Sequence, residues 1–141
     1  MNTTSSAHLT IGAVARHAAV GVDTVRYYER EGLLPAPRRR ESGYRDYDRA
    51  TVARLKFIRR AKSLGFTLDE IRGLLALSAD HERGVRGVKQ RAEAKLAEIE
   101  QRIAEMQRMR RGLKKLVAEC PGHGDPRTCP ILGAFTHGEA P

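Results

Sequence analysis

Apolar residues recur along this chain at helical spacing in five separate stretches, and helix-stopping residues fill the gaps between them. In the first stretch Ile11, Val14, Ala15 and Ala18 fall on one face behind Thr10, an N-cap residue, which predicts a short helix over 11–18. After a tight connector at 19–21, Val22, Val25 and Tyr28 repeat the spacing, and Gly32 stands at the C' position of a second short helix. Two short helices joined so closely read as a helix-turn-helix. The pattern then breaks: Pro35 and Pro37 exclude helix, Ser42 and Gly43 supply a turn, and Tyr44 and Tyr47 suit strands, which predicts a hairpin, or wing, over 38–47. Helical spacing resumes with Val52, Leu55, Phe57, Ile58, Ala61 and Leu64, between Asp48 as cap and Gly65 as stop. Thr67 and Glu70 form a capping box that opens the next helix, LDEIRGLLALS.

The longest pattern follows. From Glu82 to Ala118 there is no proline, and glycine stands only at 84, 87 and 112. Ala92, Leu96, Ile99, Ile103, Met106, Arg110, Leu113 and Val117 alternate by four and three, a heptad seam interrupted by Arg110. A lone helix of about 50 Å, at about 1.5 Å per residue, cannot bury that stripe against a small head, so the seam calls for a second copy of the chain. The expected fold is mainly α: a winged helix-turn-helix head over 9–80, a dimerisation helix over 81–118, and a C-terminal loop with a short helix over 119–135. Tails at 1–8 and 136–141 are expected to be flexible.

Charge adds a partner. Lys and Arg number 26 against 17 Asp and Glu, a formal charge of +9 with pI near 10.1, which favours an anionic partner. No basic segment precedes an apolar run at the N-terminus, and no stretch approaches the roughly 18 apolar residues of a membrane span, so a soluble, cytoplasmic chain without a membrane partner is expected. Between 38 and 62 ten Arg or Lys face three Asp or Glu, the composition of a phosphate-binding surface. The second helix of a helix-turn-helix enters the major groove of double-stranded DNA, and its outward residues here are Asp23, Thr24, Arg26, Tyr27 and Arg30. The wing offers Arg38, Arg39, Arg40 and Arg45, with the Tyr44 hydroxyl able to bond a phosphate.

The only two cysteines stand in CPGHGDPRTCPIL, 120–132. In a reducing compartment they are thiols or thiolates rather than a disulfide, although a disulfide or a pair of inert thiols is the alternative. Pro121, Gly122, Gly124 and Pro126 favour a compact turn, and Cys129 precedes a short helical segment, ILGAF, whose N-terminal end favours a thiolate. Soft thiolates select Cu(I) and zinc-group ions. His8, His17 and His137 carry no metal role. No nucleophile–base pair, phosphate-cradling glycine loop or carboxylate pair is present, so an enzyme is not expected.

The segments TIGAVARHAAVGVDTVRYYEREGLL, SGYRDYDRATVARLKFIRRAKSLGFTLDEIRGLL and CPGHGDPRTCPIL resemble, in order and spacing over 9–133, the MerR family of bacterial transcription regulators, in its heavy-metal-sensing branch. The resemblance implies a homodimer joined by an antiparallel coiled coil and bound to an over-long promoter spacer, which metal binding distorts so that RNA polymerase can use the promoter. It places Arg26 and Tyr27 on the recognition helix, Tyr44 and Arg45 on the wing, phosphate contacts at Arg54, Arg59 and Lys62, and the metal at Cys120 and Cys129. Two thiolates without a third donor suit linear Cu(I), Ag(I) or Au(I), whereas zinc takes four ligands. The family's divalent sensors carry a further cysteine near the start of the dimerisation helix, and Val85 occupies that position here, as a residue other than cysteine does in its copper sensors. This implies Cu(I) sensing. Against it, the cysteine spacing is one residue longer than in the copper branch and matches some mercury, lead and zinc sensors. His123, with His81 or another group of the partner subunit, offers the further donors that Zn(II), Cd(II), Pb(II) or Hg(II) would require. A drug-responsive relative would carry a large ligand domain after the coiled coil, and an iron–sulfur sensor would need four ligands. A thiol–disulfide switch and a purely architectural DNA binder stay open.

Overall fold

The structure, a computed structural model, describes residues 8–35, 37–39 and 45–138, without the side chains at 38, 39 and 45. The chain divides into two compact units at 88/89, and the division falls inside the longest helix. In the first unit α1 (Ile11–Ala18) and α2 (Val22–Arg30) precede a hairpin of β1 (Arg38–Arg39) and β2 (Arg45–Asp46), followed by α3 (Arg49–Ser63) and α4 (Leu68–Ser78). Helix α5 (Gly84–Glu119) runs into the second unit, where a 3-10 turn (Pro126–Thr128) and α6 (Pro130–Thr136) complete the chain.

The helix starts come from local hydrogen bonds. The Thr10 hydroxyl accepts from the Ala13 N–H, Asp48 Oδ1 accepts from Thr51 N–H and hydroxyl, and Thr67 and Glu70 exchange both bonds of a capping box. Helix α1 packs against α2 and α3. Val14, Val25, Leu55, Ile58 and Ile71 are fully buried, and each such side chain contributes roughly 1.5–3 kcal/mol by leaving water. Two apolar residues depart from the expected stripe: Phe57 in α3 is 39% exposed and Leu64, its C-cap, 63%. Two residues along a helix turn it through about 200°, so with Leu55 inward Phe57 must point away, and Thr51 takes a buried place instead.

Leu33, Leu34 and Tyr47 reach the same core from outside the helices. Leu9 and Tyr47 exchange backbone hydrogen bonds of 2.8 and 2.9 Å, extending the antiparallel hairpin in which Arg38 faces Asp46 and Arg39 faces Arg45. The buried Tyr47 donates its hydroxyl to Glu29 Oε2 at 3.2 Å and so fastens the hairpin to α2. The expected flexible tail is tied at its last residue, since His8 Nδ1 lies 3.2 Å from Asp46 Oδ2. The expected C-terminal tail begins later than 136, since α6 includes Thr136 and the His137 N–H donates to the Gly133 carbonyl at 3.0 Å; residues 1–7 and 139–141 lie outside the described residues, as does Tyr44.

Helix α5 starts later than the proline-free run suggests. Asp80 Oδ1 accepts from the N–H groups of Glu82 and Arg83, and its carbonyl accepts from Gly84, so 81–83 form a turn before the helix. Gly84 and Gly87 let α5 pass close to the end of α4. A Cβ at Gly84 would strike the Leu77 carbonyl oxygen, and one at Gly87 would lie 2.6 Å from Leu77 Cδ2. Gly84→Ala is therefore expected to destabilise the head by about 1–3 kcal/mol, as overpacking does. A lower urea midpoint at unchanged slope is the check, with Gly133→Ala, which meets open space, as the control that does not lower it. Among the described residues no helix is long and apolar enough to cross a membrane.

Candidate metal centre and nucleic-acid interface

Helix α2 turns Val25 and Tyr28 inward, and its opposite face presents Arg26 and Arg30 exposed, Tyr27 40% exposed and Thr24 half-buried. Tyr27 and Tyr28 stack at a tilt, with ring centroids 5.7 Å apart, and Lys62 Nζ of α3 lies 5.9 Å from the Tyr28 ring. Lys62 thus joins the α2 surface. Arg59 is exposed on α3 and Arg54 half-buried. Arg38 pairs with Asp46 and Arg45 with Arg39 along the hairpin backbone, but the side chains of Arg38 and Arg45 lie outside the described residues. One residue of this surface was not legible in the sequence. Arg72, 41 positions away in the chain, donates to the Glu31 carbonyl at 2.6 Å and to Asp69 Oδ1 at 2.6 Å, closing the C-terminal end of α2 from α4.

The cysteines meet at the end of the second unit. Cys120 N–H donates to the Leu116 carbonyl at 3.1 Å, immediately after α5. Gly122 and Gly124, with φ of 80° and 107°, reverse the chain on either side of His123 in a backbone region that L side chains rarely adopt. The 3-10 turn follows, and Cys129, its N–H on the Pro126 carbonyl at 3.2 Å, is the N-cap residue of α6. The backbone N–H of Leu132, aimed at the Cys129 sulfur, is the main cause holding that thiol below its ordinary pKa; the Ile131 N–H and the Cys120 thiol act in the same direction, against desolvation. Both cysteines are reduced and half-buried.

Both thiols line an open cavity of about 300 Å³ together with His123, Asp125, Thr128 and Leu132. Two soft donors side by side, one of them favoured as thiolate, fit a thiophilic ion. His123 borders the cavity, yet among the described residues no three His, Cys, Asp or Glu side chains gather into one potential metal site. His81 is exposed in the 81–83 turn, and Val85, one residue into α5, is 89% exposed. The sequence reading passed over Asp125. Its signal was an acid directly before a proline, the pattern of a helix start.

The seam of α5 lies open in the single chain: Leu96, Ile99, Ile103, Met106 and Leu113 are exposed, as are Ala92 and Arg110. Met106, Met109, Arg110, Leu113 and Lys114 form a shallow, mostly apolar groove along it.

Residues 9–78 match the profile of the MerR HTH family regulatory proteins, and 52–116 that of the MerR DNA-binding segment. The chain is 41% identical over 133 residues to the heavy metal-dependent transcription regulator 2 of Rhizobium meliloti (strain 1021), covering 94% of this chain and 89% of that protein. It is 42% identical over 122 residues to the mercuric resistance operon regulatory protein of Bacillus cereus, covering 86% and 92%. Among solved structures, the transcription regulator PbrR691 from Ralstonia metallidurans CH34 in complex with lead(II) matches with a TM-score of 0.79 at 38% identity, covering 90% of this chain and 98% of that one.

Proposed function

We propose, since this chain belongs to the MerR family of helix-turn-helix regulatory proteins, among those of heavy-metal-sensing type, that Cys120 and Cys129 form its inducer site and that the inducer is a monovalent soft ion. The chain is a transcription regulator, not an enzyme, and regulators of this family bind promoter DNA as homodimers. The observation that carries the monovalent reading is the pair of reduced thiols lining one cavity with no third donor gathered around them among the described residues. That donor set suits linear Cu(I), and Ag(I) and Au(I) with it. A divalent reading, for Zn(II), Cd(II), Pb(II) or Hg(II), draws on His123 at the cavity edge and on the likeness to a mercuric resistance regulator and to a structure in complex with lead(II). It needs further donors from the second subunit.

When bound, the ion neutralises thiolate charge and ties the two sulfurs together. The chain does the rest. The Leu132 and Ile131 N–H groups lower the pKa of Cys129, the two left-handed glycines shape the loop, and α5 runs from the head to that loop as one helix of 36 residues. On the DNA side Thr24, Arg26, Tyr27 and Arg30 address the groove, Arg38, Tyr44 and Arg45 the flanking backbone, and Arg54, Arg59 and Lys62 further phosphates. Distorting a promoter spacer for RNA polymerase asks only a few kcal/mol of differential binding between two protein states.

The deciding experiment is transcription in vitro from the regulator's own promoter, titrated under reducing conditions with Cu(I), Ag(I), Zn(II), Cd(II), Pb(II) and Hg(II). Response to Cu(I) and Ag(I) alone is the expected result. Response to divalent ions alone overturns the monovalent assignment, and response to an oxidant alone replaces metal sensing with a thiol–disulfide switch. For the DNA surface, Arg59→Ala and Lys62→Ala should each weaken operator binding and reduce the slope of log affinity against log salt by about one.

A further inference from the structure

The eight residues between the cysteines could close in many ways, and one side chain selects the path they take. Asp125 Oδ1 accepts from the Arg127 N–H at 2.9 Å, and the Asp125 carbonyl accepts from the Thr128 N–H at 3.0 Å and the Thr128 hydroxyl at 2.9 Å. Pro126 contributes the first residue of the turn and has no N–H, so the Arg127 N–H is the first that needs an acceptor. The Pro126 carbonyl then receives the Cys129 N–H at 3.2 Å, and the Cys129 carbonyl receives that of Gly133 at 2.9 Å. Each bond fixes the start of the next. The run begins at Asp125 and ends with Cys129 turned back to Cys120.

We propose that Asp125 is the positioning residue of the thiol pair: by capping the 3-10 turn it sets where Cys129 returns to Cys120. This rests on the reading of the two thiols as the inducer site. Asp125 lines the same cavity with its carboxylate turned to Arg127, Oδ1 accepting from N–H and Nε and Oδ2 from Nε at 3.0 Å and Nη2 at 2.7 Å, and its hard oxygens are poor donors to a soft monovalent ion. Of the two things the carboxylate does, the cap is the one that matters. The fork to the guanidinium is solvent-exposed, with the Arg127 side chain 89% accessible, and pairs of that kind are worth little. The cap acts on backbone that leads directly into Cys129.

The two roles separate by substitution. Asparagine and serine keep a capping acceptor and lose the ion pair, alanine loses both, and Arg127→Ala removes the ion pair alone. In the full-length protein, Cu(I) affinity is measured anaerobically by competition with a chromophoric Cu(I) chelator, alongside the thiolate-to-copper charge-transfer band. Asp125→Ala is expected to lower affinity about 10- to 100-fold, the usual effect of losing an outer-shell partner, with a weakened band. Asp125→Asn, Asp125→Ser and Arg127→Ala stay within about threefold of the wild type, and metal-free operator affinity is unchanged in all four. Wild-type affinity in Asp125→Ala overturns the proposal, and so does a loss in Asp125→Asn as large as in Asp125→Ala. Cys129→Ser tests the underlying reading separately. If that variant binds Cu(I) as tightly as the wild type, the thiol-pair site itself is wrong, whatever Asp125 does.

Discussion

Cys120→Ser and Cys129→Ser should each abolish metal-induced transcription while leaving metal-free operator affinity within about twofold of the wild type, since sites that share no partners rarely couple by more than about 0.5 kcal/mol. Serine preserves shape but offers a hard hydroxyl in place of a soft thiolate, and a single remaining sulfur cannot hold a two-coordinate ion. Both cysteines belong to the unit 89–141, whereas every residue assigned to DNA belongs to 1–88, so neither substitution changes a residue assigned to DNA. Transcription in vitro and a gel-shift titration measure the two halves of this expectation. Should both single variants still respond to metal, the inducer site lies elsewhere. The lowered pKa of Cys129 adds a pH signature. Hydrogen bonds to the sulfur favour the thiolate, so in the metal-free protein Cys129 is alkylated at a lower pH than a free cysteine. As pH falls further the sulfur takes up its proton, and apparent metal affinity falls with it, because the metal must displace that proton.

Ile103→Asp is expected to raise the dimer dissociation constant by more than about 100-fold, roughly 3 kcal/mol, because a buried, unpaired carboxylate is costly and a two-fold interface receives it twice. Ile103 lies at the middle of the seam and is 50% exposed in the single chain. The neighbouring Leu96, Ile99, Met106 and Leu113 are exposed beside it, an apolar row that a second copy would cover if the interface runs along it. Operator binding should fall in parallel, since two half-sites are no longer joined. Ala104→Asp adds the same charge one residue outside the seam and is the matched control. Equal dimer stability in the two variants, by analytical ultracentrifugation, would place the interface on another face. Arg110 fits the same seam: it lines the apolar groove with Met106 and Leu113, and a long stem there can cover apolar surface while its charged end reaches water.

By itself the sequence determined most of what depends on neighbours within about four residues, the Asp80 turn and the Asp125 cap excepted: the caps at Thr10, Asp48 and Thr67, the bounds of α1 and α4, and the heptad spacing along α5. Helical hydrogen bonds and caps join residues three or four apart, so residue types at those offsets suffice. The resemblance carried by RYYE, SGYR and the cysteine loop supplied the family as well. Only the tertiary structure decided what depends on where distant segments pass. Periodicity alone did not choose Thr51 over Phe57 for the core, seat Tyr47 on Glu29 or bring Arg72 to the end of α2. It also left open whether two sulfurs with eight residues between them meet, and which side chain closes the loop between them. Those outcomes follow from the path of the whole backbone, through left-handed Gly122 and Gly124 and the cap at Asp125, and no single spacing along the chain encodes that path.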